Sequence, residues 1–197
     1  FPQKIVMIDD LSTQRYGSLF GLPAEGDYRF HEADILKADL AGLFRGADAV
    51  IHLAALTDPA MFGRQDILER VNLEGTERVA RACIKTGSPL FFPSTTSVYG
   101  TSGDLVSEDG PERDLIPQSP YADSKRRGER LLAALGRAEG LRFVVCRFGT
   151  IFGVSPGMRF HTAVNKFAWQ ACTGRPLSVW RSALLQQRPY LDLGDAV

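Results

Sequence analysis

One tyrosine and one lysine are spaced so that they could share a proton-transfer site. Tyr121 and Lys125 are four residues apart in a segment with helical periodicity, and residues at this separation lie on one face of a helix. A neighbouring ammonium stabilises a phenolate and so lowers a tyrosine pKa, which lets the phenol exchange a proton with a substrate hydroxyl. Taken alone, the pair is more typical of a half-exposed tyrosine beside a solvated lysine.

A run of hydroxyl side chains follows a short apolar strand predicted at Leu90 to Phe92. Ser94, Thr95, Thr96 and Ser97 would then lie at the carboxyl end of that strand, the end where open α/β sheets bind their ligands. Hydroxyl groups in this place could hydrogen-bond a reacting carbonyl. Some of the four could instead have a capping or turn role.

An aspartate ends the first predicted strand. Asp9 is followed by Asp10 and Leu11, with no arginine beside it. An acid at the end of the second strand of a dinucleotide-binding unit accepts hydrogen bonds from the adenosine ribose and disfavours a 2′-phosphate. This pattern favours NAD over NADP, and a simple turn residue is the alternative interpretation of Asp9.

Short apolar runs alternate with longer helical patterns along the chain, which is typical of βαβ units and a parallel sheet. We predict an α/β fold, with a Rossmann-type doubly wound domain over residues 1–148 and the start of a substrate-binding region over residues 149–197. Gly100 to Ser119 is predicted to be a surface loop. The predicted strands are Lys4 to Ile8, Tyr28 to Ala33, Ala49 to Leu53, Leu90 to Phe92, Leu141 to Arg147, Leu177 to Trp180 and Pro189 to Leu193; the predicted helices are Ile67 to Lys85, Tyr121 to Leu135 and Thr162 to Thr173, with a further one opening at Gly194.

Composition restricts the partners of the protein. The chain has 197 residues, and 23 lysines and arginines balance 23 acidic residues, which argues against broad nucleic-acid binding. No apolar run reaches the ~20 residues that a transmembrane helix needs. The three cysteines have no metal-ligand spacing, so we expect reduced thiols in a cytoplasmic protein, and no metal.

These motifs, taken together, resemble the NAD-dependent epimerase/dehydratase family, the extended short-chain dehydrogenases/reductases that act on nucleotide sugars. They come in the family's order and spacing and cover nearly the whole chain. The matching segments are Asp9 to Ser12, Ala33 to Ile35, Ile51 to Ala55, Val71 to Thr76, Ser94 to Gly100, Ser119 to Lys125, Arg147 to Gly153 and Arg188 to Asp195.

The resemblance implies a role for each matching residue, with NAD as cofactor. Tyr121 would be the acid/base, Lys125 would bind the nicotinamide ribose, and Thr95 would be the family's catalytic Ser/Thr. Many relatives are homodimers, so the resemblance implies a homodimer here. The other implied cofactor contacts are Asp9 with Asp10 and Leu11 at the adenosine ribose, Asp34 and Ile35 at the adenine, Leu53, Ala54 and Ala55 along the pyrophosphate and ribose, and Asn72 behind the site; the implied substrate contacts are Thr96, Thr150 and, on the phosphates, Arg188.

Three departures from the family pattern concern the substrate. Nucleotide-sugar 4,6-dehydratases carry Asp-Glu after the catalytic threonine, where this chain has Thr96 and Ser97, so the proton carriers of that elimination are missing. Thr150 stands where many epimerases have asparagine. The stretch from Ser182 to Gln187 replaces the family's Gly-Asp-Gly, and these two differences predict an unusual substrate pocket.

The resulting hypothesis is a nucleotide-sugar epimerase that acts at the fourth carbon of the sugar. Tyr121 would take the hydroxyl proton while a hydride passes to NAD, and the hydride would return to the other face. A reductase, a decarboxylase or a dehydratase of another type would use the same fold and the same Tyr/Lys pair. A non-catalytic NAD-binding protein is the alternative outside enzymes, and it would not need Tyr121, Lys125 and Thr95 together.

The chain contains no Gly-x-x-Gly-x-x-Gly sequence, the loop that brings backbone N–H groups to the pyrophosphate in this family. We therefore expect a partial chain, in which the first strand and helix of the domain and most of a substrate-binding domain lie outside the sequence. Without that first strand, the middle of the sheet would have unpaired strand edges.

Overall fold

The computed structural model describes residues 4–14, 16–57, 65–100, 106–181, 184–185 and 187–197. The chain forms two compact units. The larger contains Pro2–Asp10 and Asp27–Arg147, and the smaller contains Leu11–Gly26 and Phe148–Val197. The change of unit after Arg147 lies next to the predicted boundary, whereas the grouping of residues 11–26 with the C-terminal stretch was not predicted. The assignment of residues 1–148 to a dinucleotide-binding domain and of residues 149–197 to a substrate-binding region stays a prediction.

Strands and helices alternate along the described part of the chain as predicted, although the short helix at Leu40–Leu43 was not predicted. The strands are β1 (Lys4–Asp9), β2 (Asp27–Glu32), β3 (Val50–Ile51), β4 (Leu90–Thr95), β5 (Phe143–Phe148), β6 (Thr150–Phe152) and β7 (Tyr190–Asp192). The helices are α1 (Leu40–Leu43), α2 (Gln65–Glu69), α3 (Gly75–Thr86), α4 (Pro120–Glu139), α5 (Ala163–Cys172) and α6 (Leu193–Ala196). Short 3₁₀ turns cover Tyr16–Leu19, Thr96–Tyr99 and Glu112–Asp114, and a π-helical turn covers Arg70–Glu74.

The strands of the larger unit form two sheets among the residues that the structure describes. β1 pairs in parallel with β2, and β3 pairs in parallel with β4, which in turn neighbours β5. Among the described strands, β3 lies at the edge of its sheet, where Ile51 is 62% exposed, and Leu53, two residues further on, is 73% exposed. The further strand that we expect in the middle of this architecture stays a prediction.

The core of the larger unit lies between β4 and the helices α1, α3 and α4. Phe92 on β4 and Leu132 on α4 are almost completely buried. The helix approaches the strand closely at Gly128, where an added Cβ would lie 3.0 Å from the Phe92 ring. This close contact brings the beginning of α4 next to the end of β4.

Local capping sets the limits of α4. The Ser119 hydroxyl accepts a hydrogen bond from the Ala122 N–H at 3.1 Å, and Pro120 occupies the first turn, where a missing N–H costs nothing. The helix ends at Gly140, whose φ of +74° is in the left-handed region that favours glycine. The helix is therefore longer than the predicted Tyr121 to Leu135, although its beginning was placed within one residue.

Two predicted elements differ from the structure. The helix predicted from Ile67 to Lys85 is present as α2 and α3, but the π-helical turn between them was not predicted. The strand predicted from Leu177 to Trp180 is wrong, because these residues pair with no strand in the described part of the chain and Trp180 is 82% exposed. A β-prone run becomes a strand only where a neighbour can pair with it.

The smaller unit contains α5, α6 and a two-stranded parallel sheet. β6 and β7 pair from Thr150 opposite Tyr190 to Phe152 opposite Asp192, which confirms the predicted strand near residues 190–192. In neither unit is any described helix long and apolar enough to cross a bilayer.

Leu132→Ala tests the assigned core. Removing a completely buried leucine side chain leaves a cavity, so we expect the free energy of unfolding to fall by about 2–5 kcal/mol in urea titrations. Leu185→Ala is the control, because Leu185 is 93% exposed and its loss should change the free energy by less than about 0.5 kcal/mol. Equal effects of the two changes would contradict the assignment.

Candidate active site

The structure brings the predicted Tyr/Lys pair together at the beginning of α4. The Lys125 Nζ lies 5.9 Å from the centroid of the Tyr121 ring and 4.5 Å from that of the Phe92 ring. It donates a hydrogen bond to the backbone carbonyl of Pro93 at 2.9 Å. The four-residue spacing therefore places the ammonium against both the phenol and strand β4.

Lys125 is buried, which is unusual for a lysine. Its side chain is 5% exposed, and burial lowers the pKa of its ammonium to about 8, while the Glu129 carboxylate acts in the opposite direction. An ammonium has three N–H donors, and Pro93 is its only hydrogen-bond acceptor in the described part of the chain. The two other N–H groups are free to donate to ribose hydroxyl oxygens, so the site fits the predicted nicotinamide ribose.

The four hydroxyl residues after Phe92 have different environments. Ser94 is buried and donates to the Glu129 carboxylate. The Thr95 hydroxyl accepts from the Ser97 N–H at 3.1 Å and so caps the 3₁₀ turn that follows β4. That bond uses the Thr95 oxygen as an acceptor, which leaves its proton available for a substrate oxygen. Thr96 is half-buried in the same turn, and its predicted substrate contact stays a prediction.

Asn72 fixes the loop that follows β3. Its side-chain oxygen accepts from the Leu56 N–H at 2.7 Å, and its amide nitrogen donates to the Leu56 carbonyl and to the Ser124 hydroxyl. Ser124 in turn donates to the Tyr121 carbonyl at 2.8 Å. Asn72 is 4% exposed and links the loop after β3 to the beginning of α4, and its implied role behind the site and its contact with cofactor stay predictions. It lies in the π-helical turn, a feature that is frequent at functional sites.

The implied cofactor residues of this loop lie beside that anchor. Leu53 is exposed, and Ala54 and Ala55 are half-buried. They directly precede Leu56, so the bonds from Asn72 also restrain the backbone on which they lie. Their assignment to the pyrophosphate and ribose stays a prediction.

The acids predicted near the adenosine lie at the carboxyl ends of β1 and β2. Asp9 is exposed at the end of β1, and its backbone carbonyl accepts from the Ala33 N–H at 3.0 Å. The Asp34 carboxylate accepts from the Leu36 N–H at 2.8 Å, and this bond, with the Lys37 ammonium at 3.1 Å, lowers the Asp34 pKa. The predicted contacts of Asp9 and Asp34 with the adenosine stay predictions.

The other residues predicted near the adenosine differ in their surroundings. Ile35 packs its side chain onto α3, where an added Cβ at Gly75 would lie 2.6 Å from its terminal carbon. Asp10 is exposed after β1. Leu11 has a φ of +55°, in a region that residues other than glycine seldom adopt. Their predicted contacts with the cofactor stay predictions.

Two predicted substrate residues belong to the smaller unit. The Thr150 N–H donates to the Pro189 carbonyl at 3.0 Å, and Pro189 directly follows Arg188. Thr150 and Arg188 therefore lie at the same end of the β6–β7 sheet. In the unusual stretch before Arg188, Ser182, Ala183 and Gln186 lie outside the described residues.

Sequence patterns missed an ion pair beside the site. Arg147 on β5 binds the Glu129 carboxylate on α4, with the shortest contact at 2.7 Å. The Glu129 position, four residues after Lys125, places it on the same face of α4. That spacing was the only signal in the sequence, because the partner lies on another element.

Comparison with known proteins supports the resemblance. A family model described as the NAD dependent epimerase/dehydratase family matches residues 3–197. The chain is 31% identical over 185 residues to an uncharacterized UDP-glucose epimerase of Bacillus subtilis, covering 91% of this chain and 56% of that protein. It is 30% identical over 184 residues to a trifunctional UDP-glucose 4,6-dehydratase/UDP-4-keto-6-deoxy-D-glucose 3,5-epimerase/UDP-4-keto-L-rhamnose-reductase of Arabidopsis thaliana, covering 89% of this chain and 27% of that protein.

The comparison with a solved structure also supports the resemblance to this family. The fold matches that of a mutant UDP-glucuronic acid 4-epimerase of Bacillus cereus in complex with UDP-4-deoxy-4-fluoro-glucuronic acid and NAD, with a TM-score of 0.85 and 27% identity. The match covers 98% of this chain and 62% of that one. The predicted Rossmann-type α/β fold class is confirmed. This chain spans between about a quarter and two thirds of the length of these three proteins.

The protonation of His52 should limit stability in acid. His52 is 4% exposed, and its Nε2 lies 3.0 Å from the Thr76 hydroxyl. That hydroxyl donates its own proton to the Asn72 carbonyl at 2.6 Å, so the Nε2–H of a neutral imidazole must be the donor to Thr76. Burial is the main cause that lowers the His52 pKa from 6.5 to about 3.

Between pH 6.5 and about 3, the unfolded chain therefore binds a proton that the folded chain does not bind. We expect the free energy of unfolding to fall with pH in this range, by up to roughly 1.4 kcal/mol per pH unit. In denaturant titrations, His52→Gln should flatten this dependence between pH 6.5 and 5. His31→Gln, at an exposed position on β2, is the control, and it should keep the slope of the parent. A parent slope that survives in His52→Gln would show that His52 is not the group responsible.

Proposed function

The chain belongs to the NAD dependent epimerase/dehydratase family, and we propose that the whole protein is an NAD-dependent nucleotide-sugar 4-epimerase. The observation that carries this proposal is the Tyr121–Lys125 pair, in which a buried ammonium faces the phenol ring at 5.9 Å. The Bacillus relatives, named a UDP-glucose epimerase and a UDP-glucuronic acid 4-epimerase, support UDP-hexoses as the substrate class.

Each residue of the site has a task in this reaction. Bound NAD supplies the chemistry of accepting a hydride and returning it. Tyr121 takes the proton of the sugar hydroxyl as the hydride leaves the carbon, and returns it in the second half of the reaction. Lys125 holds the nicotinamide ribose and stabilises the phenolate of Tyr121 by its charge. Thr95 donates a hydrogen bond to the reacting oxygen.

The residues after Thr95 favour an epimerase over a 4,6-dehydratase. Elimination of water requires one group that removes a proton from carbon and another that protonates the leaving hydroxyl. Thr96 and Ser97 have neutral hydroxyls that cannot ionise near neutral pH. Thr96 and Ser97 therefore cannot supply the acid and the base of the elimination, and the proposed chemistry of the site is proton exchange at Tyr121.

The homodimer that the family resemblance implies is part of this proposal.

A panel of UDP-, GDP-, dTDP- and CDP-sugars tests the reaction with the whole protein. We expect one of them to be converted into its C4 epimer, without net change in NADH absorbance and without loss of mass. Mass spectrometry of the small molecules that the denatured protein releases should show NAD. Net oxidation, or loss of water or carbon dioxide from the sugar, would reject the epimerase in favour of another reaction of the family.

Tyr121→Phe tests the acid/base assignment. The change removes only the phenolic oxygen, so the fold and cofactor retention should persist while kcat falls by about 10²- to 10⁴-fold, the range of general acid–base catalysis. Tyr16→Phe, at an exposed position of the smaller unit, is the matched control and should keep the kcat of the parent. Full turnover by Tyr121→Phe would mean that another group exchanges the proton.

A further inference from the structure

A partly buried ion pair joins three elements of the larger unit just beyond the Tyr/Lys pair. The Glu129 carboxylate on α4 receives hydrogen bonds from the Arg147 guanidinium on β5, with its Nη2 at 2.7 Å from Oε2 and its Nε at 3.2 Å from both oxygens. The side chains of Arg147 and Glu129 are 19% and 10% exposed. The Ser94 hydroxyl on β4 also donates to this carboxylate. Such a bidentate, charge-assisted arrangement is geometrically specific.

The same guanidinium also binds the turn that follows β4. The Arg147 Nη1 donates to the Tyr99 hydroxyl at 2.9 Å, and the guanidinium carbon lies 5.0 Å from the centroid of the Tyr99 ring. Tyr99 is 8% exposed and ends the 3₁₀ turn that Thr95 caps. Arg147 therefore holds both α4 and the segment that carries Thr95.

We propose that Glu129 and Arg147 are positioning residues, which fix α4 against β4 so that Lys125 and Thr95 face one reacting group. This inference rests on the function proposed above. Two adjacent residues of β4 are attached to successive turns of α4, since the Pro93 carbonyl accepts from Lys125 and Ser94 donates to Glu129. A slip of the helix along the strand would break both contacts, and a rotation would break the bidentate pair.

The position of Glu129 also has an electrostatic consequence for the site. Burial lowers the Lys125 pKa to about 8, and the Glu129 carboxylate raises it. Among the residues that the structure describes, two further ionisable groups near the ammonium are Tyr121 on the same helix and His52 after β3, where the lysine charge disfavours a protonated imidazole. Arg147 affects the Lys125 pKa through the Glu129 carboxylate, which it binds. The carboxylate thus keeps Lys125 charged at a pH where burial alone would favour the neutral amine.

The first test is a titration that needs no turnover. In the whole protein, the ¹³Cε resonance of Lys125 can be followed by NMR over pH in labelled lysine, and its absence from the spectrum of Lys125→Arg identifies it. We expect Glu129→Gln to lower the Lys125 midpoint by roughly one pH unit, because an attractive charge is lost. Glu139→Gln is the matched control, since this exposed glutamate lies at the end of the same helix and pairs with Arg81; it should leave the midpoint unchanged.

The second test separates positioning from folding. Glu129→Gln leaves the Arg147 charge without its partner, and removing one member of a buried pair can unfold a protein. The double variant Glu129→Gln/Arg147→Met removes both charges at similar volume, so it should fold. We expect kcat of the double variant to fall at least tenfold with little change in KM, and the alkaline limb of its kcat profile to move to lower pH with the Lys125 midpoint.

The outcomes separate the two proposals. If the parent converts a sugar, and the folded double variant keeps both its kcat and its Lys125 midpoint, the positioning inference is wrong. If the parent converts no sugar in the panel, the proposed function fails, and the inference is then judged on the midpoint alone. A midpoint that moves in Glu129→Gln but not in Glu139→Gln supports it, and a midpoint that moves in neither overturns it.

Discussion

The buried ammonium of Lys125 is the constraint on which the candidate site depends. A charged group removed from water is costly unless partners compensate it, and this one has a carbonyl at 2.9 Å, an aromatic face at 4.5 Å and a carboxylate one turn further along the helix. These partners come from both β4 and α4. The ammonium therefore requires the helix and the strand to stay in one relative position, and that position also sets where Tyr121 and Thr95 lie.

Local features of this arrangement could be predicted from the sequence, because they depend on residues close together in the chain. The four-residue spacing placed Tyr121 and Lys125 on one helical face, and the predicted helix began within one residue of the start of α4. The hydroxyl run after Phe92 was correctly placed at the carboxyl end of a strand. Sequence could not assign the separate tasks of Ser94 and Thr95, since one hydroxyl binds Glu129, 35 residues away, and the other caps a local turn.

Features that depend on distant partners were missed for the same reason. The π-helical turn at Arg70–Glu74 places Asn72 against Leu56 and Ser124, which are 16 and 52 residues away, and helical periodicity contains no information about them. The ion pair of Glu129 with Arg147 spans two elements. Leu177 to Trp180 has the composition of a strand, but pairing with a neighbour decides whether such a run becomes one.

Two attachments with different chemistry hold the first half of α4. Asn72 and Ser124 reach the Tyr121 carbonyl through neutral hydrogen bonds, and these groups do not ionise between pH 5 and 9. Glu129 and Arg147 hold the helix further along through opposite charges, and Lys125 lies between the two attachments. The ammonium of Lys125 therefore lies on a stretch of helix that is held on both of its sides. The backbone on which the phenol lies can thus stay in place when the charge of Lys125 changes, because neither attachment includes the Lys125 ammonium.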